Sequence, residues 1–261
     1  MIKMDRLDKI LVSQNVGSRK EVQKLIKNGL VTVNGKPEKK PESKFDPEKD
    51  EISVQGEILN FQKYVYIMMN KPAGVLSASN DKNAPTVIDL LPENMKRRGL
   101  FPAGRLDKDT TGLLIITDDG DFAHNMLSPK KHVYKLYRAE TDGIITQEHI
   151  EQFKKGIVFE DGTQCLPANL YTECPLDEPY KNYFGGTLKS NVGFVKICEG
   201  KFHQVKKMFL AVGLKVIFLE RLSIGNLVLD NNLERGESRF LYKHEKNLIF
   251  DTKIYLNMEQ F

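Results

Sequence analysis

The chain has 261 residues of ordinary globular composition, 40% hydrophobic and 28% charged, and is long enough for one large domain with a small one. Its net charge of +4 at pH 7 is too small to indicate a nucleic-acid partner by itself. Three cysteines without a Cys-x-x-Cys pair argue against a disulfide framework or zinc site, and no apolar run approaches the roughly twenty residues of a membrane span. Because the first residues also lack the apolar core of a signal peptide, we expect a soluble, cytoplasmic protein.

The positive charge is concentrated near the start of the chain. Residues 1–40 contain ten Lys or Arg against four Asp or Glu. In the same region Leu7, Ile10 and Leu11 recur at helical spacing and predict a first helix over residues 5–14.

A capping box predicts the second helix. Ser18 stands three residues before Glu21, the spacing of a helix N-terminus, and Gly29 is placed to end the helix. One face of this helix is basic: Arg19, Lys20, Lys24 and Lys27. Such a stripe is often only the solvated face of an amphipathic helix, so spacing alone does not assign it to RNA.

Strand patterns follow the second helix. Residues 30–33 predict a strand and Asn34-Gly35 a tight hairpin turn. Residues 52–54 indicate one more strand of a small domain, and a domain boundary is expected near residues 58–63. Beyond it, residues 64–69 predict a core strand.

Residues 101–120 place several charged side chains on a loop punctuated by glycine. Arg105, Asp107 and Asp109 lie in its first half, and the apolar run at residues 113–117 predicts a buried strand behind them. Loops held by a rigid scaffold are where binding and catalytic groups concentrate, so this stretch is the candidate site.

The same residues allow three other interpretations. Asp107, Asp109 and Asp118 are spaced as in a calcium-binding EF-hand loop, but such a loop needs a helix on each side, and here glycine and proline precede it. A phosphatase with an aspartyl nucleophile places that residue after a hydrophobic strand, whereas these aspartates precede one. A surface turn with solvated charges is the third interpretation.

The second half of the chain alternates helices and strands. Short helices are predicted over residues 121–127 and 146–155, and strands begin at Lys135 and cover residues 194–198. A further helix starts at His203.

The candidate loop also carries a family resemblance. Gly104–Leu114, with the sequence Gly-Arg-Leu-Asp-Lys-Asp-Thr-Thr-Gly-Leu-Leu, resembles the catalytic signature of the pseudouridine synthases that act on ribosomal RNA. The resemblance covers roughly residues 4–242 and continues at Tyr66–Gly74 (Tyr-x-x-x-Asn-Lys-Pro-x-Gly), Lys135-Leu-Tyr137, Cys198–Phe209, Leu222–Gly225 and Gly236–Leu241. The region near the start is similar to the S-four-type RNA-binding domain. It has the same succession of Ser-Arg-Lys, a helix and then Gly-Leu-Val-Thr-Val-Asn-Gly-Lys.

The resemblance implies an α+β fold. A small RNA-binding domain of helices and strands is expected at residues 1–60. A catalytic domain built on a mixed, mainly antiparallel β-sheet is expected at residues 61–245. Residues 246–261 form a C-terminal extension of unknown role, and a monomer is expected.

The implied reaction isomerises a uridine to pseudouridine. The bond from ribose to ring nitrogen breaks, the base rotates, and a carbon–carbon glycosidic bond forms, so neither a cofactor nor a metal is expected. The resemblance implies Asp107 as nucleophile or base at the ribose or uracil, Tyr137 stacked on the uracil, and Lys206 paired with Asp107. On the residues alone, Tyr137 also fits an edge-strand aromatic and Lys206 a solvent-facing helix lysine.

The implied RNA contacts lie in both domains: Arg6, Lys9, Ser18, Arg19, Lys20, Lys24, Lys27, Arg105, His203 and Gln204. His203-Gln204 and Lys206-Lys207 resemble the small-subunit enzymes, whereas the large-subunit enzymes tend to have Asn-Arg and Arg-Arg there. The implied substrate is therefore 16S ribosomal RNA, in a partly assembled small subunit. A large-subunit enzyme, a non-catalytic ribosome-binding module and a hydrolase using Asp107 are the alternatives.

Overall fold

The computed structural model describes residues 4–185 and 189–251 and divides the chain into two compact units. The small unit runs to Val65 and includes Met95–Gly99; the large unit comprises Tyr66–Asn94 and the chain from Leu100 onward. The sequence places the boundary a few residues earlier and does not indicate that residues 95–99 return to the small unit. Arg97 holds that return, because its guanidinium donates to the carbonyl oxygens of Gln62 at 2.9 Å and Lys63 at 3.2 Å.

The small unit packs two helices on short strands. In chain order its elements are β1 (Asp5–Arg6), α1 (Leu7–Ser13), α2 (Arg19–Lys27), β2 (Val31–Val33), β3 (Lys36–Pro37), β4 (Lys44–Phe45), β5 (Ile52–Val54) and β6 (Glu57–Ile58). β1 pairs with β4, and the other strands form a sheet in the order β3-β2-β5-β6. Its core is formed by Leu7, Ile10, Leu11, Val22, Ile26, Val31, Val33 and Ile52.

Both ends of α2 follow from its sequence. At the start, the Ser18 hydroxyl accepts from the backbone N–H of Glu21, and the Glu21 carboxylate accepts from the N–H of Ser18 at 2.8 Å, which completes the predicted capping box. At the end, Gly29 has φ +72, and Leu30 N–H reaches back to the carbonyl of Leu25 at 3.1 Å. The hairpin between β2 and β3 turns at Asn34 and Gly35, which both have positive φ as a two-residue hairpin turn of this type requires.

The large unit alternates strands and helices. In chain order its elements are β7 (Tyr66–Lys71), β8 (Phe101–Ala103), β9 (Thr111–Thr117), α3 (Gly120–Leu127), β10 (Lys135–Thr141), α4 (Gln147–Lys155), β11 (Asn169–Tyr171), β12 (Val192–Ile197), α5 (Gln204–Ala211), β13 (Val216–Ile224), β14 (Leu227–Val228), β15 (Ser238–Phe240) and α6 (Glu245–Leu248). Pro102 was expected in a loop but lies in β8. A proline fits there because, within the described residues, β8 pairs only with β9 and makes no ladder bonds at its other edge.

These strands form one mixed sheet. Its order in the described residues is β11-β12-β10-β13-β9-β7-β15, with β8 on β9 and β14 on β13. Every pairing is antiparallel except that of β13 with β9. The predicted α+β class with a mainly antiparallel sheet is therefore confirmed.

The described part of the chain beyond residue 245 belongs to the large unit's core. Ile249 is buried among the side chains under the sheet. Its carbonyl lies over Gly225, where a Cβ would come within 2.2 Å of that oxygen. Glu245 binds the Arg239 guanidinium through both carboxylate oxygens, at 2.7 and 2.8 Å. Residues 252–261 of the predicted extension lie outside the described residues.

Candidate active site

The candidate loop connects β8 to β9, and the start of β9 pairs with β13. Gly112, at the start of β9, has φ +97 and pairs with Arg221 on β13. A Cβ at this position would lie 2.3 Å from the Arg221 carbonyl oxygen, so only glycine allows the two strands to approach this closely. The strand that carries Arg221 is thereby fixed next to the loop that carries Asp107.

A fully buried lysine holds the loop from below. The ammonium of Lys71, at the end of β7, donates to the carbonyl oxygens of Pro72 (3.0 Å), Asp107 (3.1 Å), Lys108 (3.2 Å) and Thr110 (3.0 Å). Burial lowers the pKa of this lysine to about 8. Lys71 is a positioning residue, because three of these four carbonyl groups belong to the backbone of the loop.

Ser77 clamps the residue before Asp107. Its hydroxyl donates to the carbonyl oxygen of Leu106 at 2.9 Å and accepts from the Leu106 N–H at 3.1 Å. The backbone N–H of Gly74 also donates a hydrogen bond to the carbonyl oxygen of Lys108 at 2.8 Å. The backbone on both sides of Asp107 is therefore fixed by β7 and the segment that follows it.

The side chain of Asp107 faces the start of α5. The ammonium of Lys206 lies 3.1 Å from Asp107 Oδ2 and 2.6 Å from Asp109 Oδ1. His203 Nε2 lies 3.4 Å from Asp107 Oδ1, and its ring stacks on Phe202 with centroids 3.8 Å apart. The predicted approach of Lys206 to Asp107 is thus present, and Asp109 and His203 complete the group.

Ion pairing favours the charged forms of Lys206 and Asp109. Burial alone would lower the pKa of Lys206, but hydrogen bonds to Asp109 and Asp107 raise it above its usual value. The same contact with Lys206 lowers the pKa of Asp109. Lys206 is therefore a stable cation at neutral pH, and it holds the Asp107 carboxylate by charge as well as by geometry.

The carboxylate opens into a cleft of about 640 Å³. The sheet forms its floor, where Tyr137 on β10 pairs with Arg221 on β13. Both side chains are buried, and the Arg221 guanidinium donates from Nη1 to the Tyr137 hydroxyl at 3.4 Å and from Nε to the carbonyl of Leu113 at 2.8 Å. Lys135, two residues before Tyr137 on the same face of β10, also lines the cleft.

The three predicted RNA contacts in the large unit lie in different environments. Arg105 is exposed at the cleft, and no hydrogen bond or ion pair from the described residues holds its guanidinium. His203 faces Asp107, as described above. Gln204 is only 4% exposed; its carbonyl accepts from Lys201 N–H at 2.9 Å, and its amide donates to Glu199 at 3.0 Å. The expectation of an RNA contact at Gln204 is therefore corrected, because its amide is used to form the turn into α5.

The basic face of the small unit is organised by one buried carboxylate. Asp8 accepts two bonds from Arg6, at 3.0 and 2.9 Å, and lies 3.5 Å from Arg19. The Arg6 guanidinium, through its hydrogen bond, lowers the pKa of Asp8. Lys9 pairs with Asp5 at 2.9 Å. The basic side chains of α2 beyond Arg19 are exposed: Lys20, Lys24 and Lys27.

The sequence did not assign roles to Lys71, Ser77, Arg221 or Asp8. Lys71 and Arg221 are charged residues in strands, and nothing local distinguishes a buried cation from an exposed one. The one available signal is their position inside otherwise buried strands, since β7 is buried from Ile67 to Lys71 and β13 from Leu219 onward.

The calcium interpretation is not supported. The segment after the loop is the strand β9, where an EF-hand requires a helix. Within residues 4–185 and 189–251, no three His, Cys, Asp or Glu side chains converge as metal ligands would.

Replacing Lys71 by methionine should destabilise the large unit. The change removes the fully buried ammonium that donates to four carbonyl groups, and we expect the free energy of unfolding to fall by about 3 kcal/mol. Urea unfolding measures the loss, and hydrogen exchange at residues 104–110 should accelerate. Lys82→Met is the matched control, because Lys82 is exposed in the same unit. Equal midpoints for the two variants would contradict this role.

The fold and the site define a class of protein: an enzyme with an ion-paired carboxylate in a cleft, joined to a small unit with a basic helix. Comparison with known families gives the same division. A family model described as RNA pseudouridylate synthase matches residues 65–211, and an S4 domain model matches residues 5–52. The chain belongs to the RNA pseudouridylate synthase family and is an isomerase of uridines in RNA.

Relatives match nearly the whole chain. An uncharacterised RNA pseudouridine synthase of Bacillus subtilis is 44% identical, over 94% of this chain and 98% of the relative. A ribosomal small subunit pseudouridine synthase A of Vibrio parahaemolyticus is 37% identical, over 94% and 100%. The crystal structure of a pseudouridylate synthase, 32% identical, aligns with a TM-score of 0.62 over 94% of this chain and 99% of that one. Among the described residues, no helix is both long and apolar enough to cross a bilayer.

Proposed function

We propose that the protein isomerises one uridine of 16S ribosomal RNA to pseudouridine, with Asp107 as the reacting carboxylate. The observation that carries the proposal is the pairing of Asp107 with Lys206 at 3.1 Å beside the cleft that Tyr137 lines. A carboxylate fixed by a cation and by its loop backbone is held in one geometry before substrate arrives, which is the arrangement that covalent or acid–base catalysis needs.

The reaction needs the target uridine outside its stack. The uridine is flipped into the cleft, where Tyr137 stacks on the uracil. Arg105, which no residue of the described chain holds, fills the space that the base leaves. Asp107 attacks the ribose or removes a proton from it, and the N1–C1′ bond breaks. The uracil turns and C5 bonds to C1′; at this step the bond from Asp107 to the ribose breaks in the first route, and the removed proton returns to the ribose in the second. The C5 proton then leaves and N1 gains a proton.

The small unit docks on RNA through the lysine face of α2. Phosphate contacts of this kind supply affinity and position but read no sequence. Arg6 and Arg19 border the same face and are held by Asp8, so they meet RNA with less side-chain freedom to lose. Ser18 supports the face indirectly, because its hydroxyl caps the helix.

The triple variant Lys20→Gln, Lys24→Gln, Lys27→Gln should weaken RNA binding and lower its salt dependence. Three phosphate contacts account for a change of roughly 2 in the slope of log affinity against log salt. Filter binding at several salt concentrations measures this slope. The matched control neutralises three exposed lysines elsewhere in the same unit: Lys36, Lys39 and Lys40. An equal loss of slope in both variants would contradict the assignment to α2.

The small-subunit substrate is proposed from the sequence at α5. His203-Gln204 and Lys206-Lys207 resemble the small-subunit enzymes. The Lys206 ammonium holds Asp107 as a point charge, whereas an arginine at this position would bind the carboxylate through two hydrogen bonds and change the geometry of the site. Relatives named small subunit synthase A include that of Vibrio cholerae, 39% identical, while a large subunit synthase B of Bacillus subtilis is 35% identical. We propose a monomer that acts in the cytoplasm on a partly assembled small subunit. A separate RNA-binding unit allows the protein to recognise an extended surface of such a particle in addition to the target uridine.

Purified protein tests the substrate directly. It should form pseudouridine at one uridine of 16S ribosomal RNA, and faster on partly assembled small-subunit particles than on bare 16S RNA. Bare 23S RNA and large-subunit particles serve as the comparison. Product in the large-subunit RNA alone would refute the 16S assignment while leaving the reaction itself in place.

A further inference from the structure

The floor of the catalytic cleft contains two cationic side chains for which the structure supplies no anion. Lys135 is 6% exposed, and its ammonium makes no hydrogen bond or ion pair with the described residues. Arg221 is 4% exposed, and its Nη2 has no hydrogen-bond partner there. Both side chains line the cleft beside Tyr137.

The carboxylates of the cleft are committed elsewhere. Two line it: Asp107, which pairs with Lys206, and Glu199, which pairs with Lys201 and accepts from Gln204. Burial and the nearby charge of Arg221 lower the pKa of Lys135 to about 8. A buried cation without a counter-ion is costly, and proteins retain such groups mainly where a ligand completes them.

The proposed reaction generates an anion at this place. When the N1–C1′ bond breaks, its electron pair goes to the uracil ring and spreads over O2 and O4, whether Asp107 attacks the ribose or removes a proton from it. The ring lies against Tyr137 at that moment, two residues from Lys135 on the same face of β10. Arg105, in contrast, is an exposed cation of the same cleft and is available to phosphates.

We infer that Lys135, assisted by Nη2 of Arg221, binds a ring oxygen of the target uracil and stabilises the negative charge that the base carries after it leaves the ribose. This inference rests on the proposed function. It makes Lys135 a catalytic residue in addition to Asp107. Its ammonium acts as an oxyanion-hole donor does, aimed in advance at the atom where charge develops.

The test uses the full chain and an RNA whose mapped target is uridine, 2-thiouridine or 4-thiouridine. Lys135→Met should slow single-turnover pseudouridine formation by about 100-fold, with RNA affinity within threefold. The melting temperature should stay equal or rise, because an uncompensated buried charge is removed. In wild type one of the two thio substitutions should slow the reaction, and the same substitution should have little further effect in Lys135→Met.

Lys196→Met is the matched control. Lys196 is also buried, but it lies on the opposite face of the sheet, with its ammonium 4.5 Å from the Tyr134 ring. This variant should keep the wild-type rate. If Lys135→Met does not fold, Lys135→Gln is measured by the same criteria.

Several results would overturn the inference. A Lys135→Met rate within threefold of wild type, a melting temperature below wild type in both Lys135→Met and Lys135→Gln, or thio effects of full size in the variant would each do so. A loss of affinity at an unchanged rate would assign Lys135 to a phosphate instead. Wild-type protein that forms no pseudouridine would overturn the proposed function as well, whereas normal wild-type turnover confines any failure to Lys135.

Discussion

Asp107→Asn should abolish pseudouridine formation, with a rate at least about 10³-fold below wild type. The amide has nearly the same shape as the carboxylate, but it can neither attack the ribose nor take a proton from it. The loop should keep its form, because Lys71 and Ser77 hold its backbone and not this side chain. RNA affinity should stay within a few-fold, since phosphate contacts elsewhere supply it.

Asp109→Asn is the matched control for this variant. Asp109 contacts the same Lys206 ammonium, at 2.6 Å, but its side chain is 75% exposed. Lys206 retains Asp107 when Asp109 is neutral, so the rate should fall by less than about tenfold. Single-turnover assays measure both rates. Equal losses in the two variants would contradict the assignment of Asp107, rather than Asp109, as the reacting carboxylate.

Gly112→Ala should strongly destabilise the large unit. The new Cβ would lie 2.3 Å from the Arg221 carbonyl oxygen and 2.8 Å from its nitrogen, at a residue with φ +97. The strained backbone and the forced separation of β9 from β13 together should cost about 4 kcal/mol or more. Much of the variant should be insoluble, and the soluble fraction should unfold at lower urea concentration.

Gly120→Ala provides the comparison. Gly120 opens α3, its φ is not positive, and no atom lies within 4 Å of the position its Cβ would take. Alanine is the better helix former, so this variant should be as stable as wild type or slightly more so. Stability of Gly112→Ala within about 1 kcal/mol of Gly120→Ala would refute the close-approach argument.

The sequence predicted the features that depend on interactions between residues close together in the chain. Ser18 and Glu21 form their capping box, Gly29 ends α2, and Asn34-Gly35 makes the hairpin. Each depends on a few neighbouring residues and on backbone angles that only certain residue types adopt. The family resemblance then predicted the approach of Lys206 to Asp107 across 99 residues, which no local pattern could have indicated.

Features that depend on tertiary packing were not predicted. Lys71 is buried because three carbonyl groups from the loop and that of Pro72 converge on its ammonium, and that convergence exists only in the folded chain. The family resemblance implied an RNA contact at Gln204, yet its side-chain amide is used within the turn before α5. The return of residues 95–99 to the small unit was missed for the same reason, since it depends on Arg97 reaching distant carbonyls.

The most direct test of the central claim is a map of all pseudouridines in both ribosomal RNAs from cells that lack this gene. The cells are complemented in parallel with wild type or with Asp107→Asn. We expect one site to disappear from 16S RNA, to return with wild type and to stay absent with Asp107→Asn, while every site in the large-subunit RNA is unchanged. Loss of a site only from the large-subunit RNA, or its recovery with Asp107→Asn, would contradict the account.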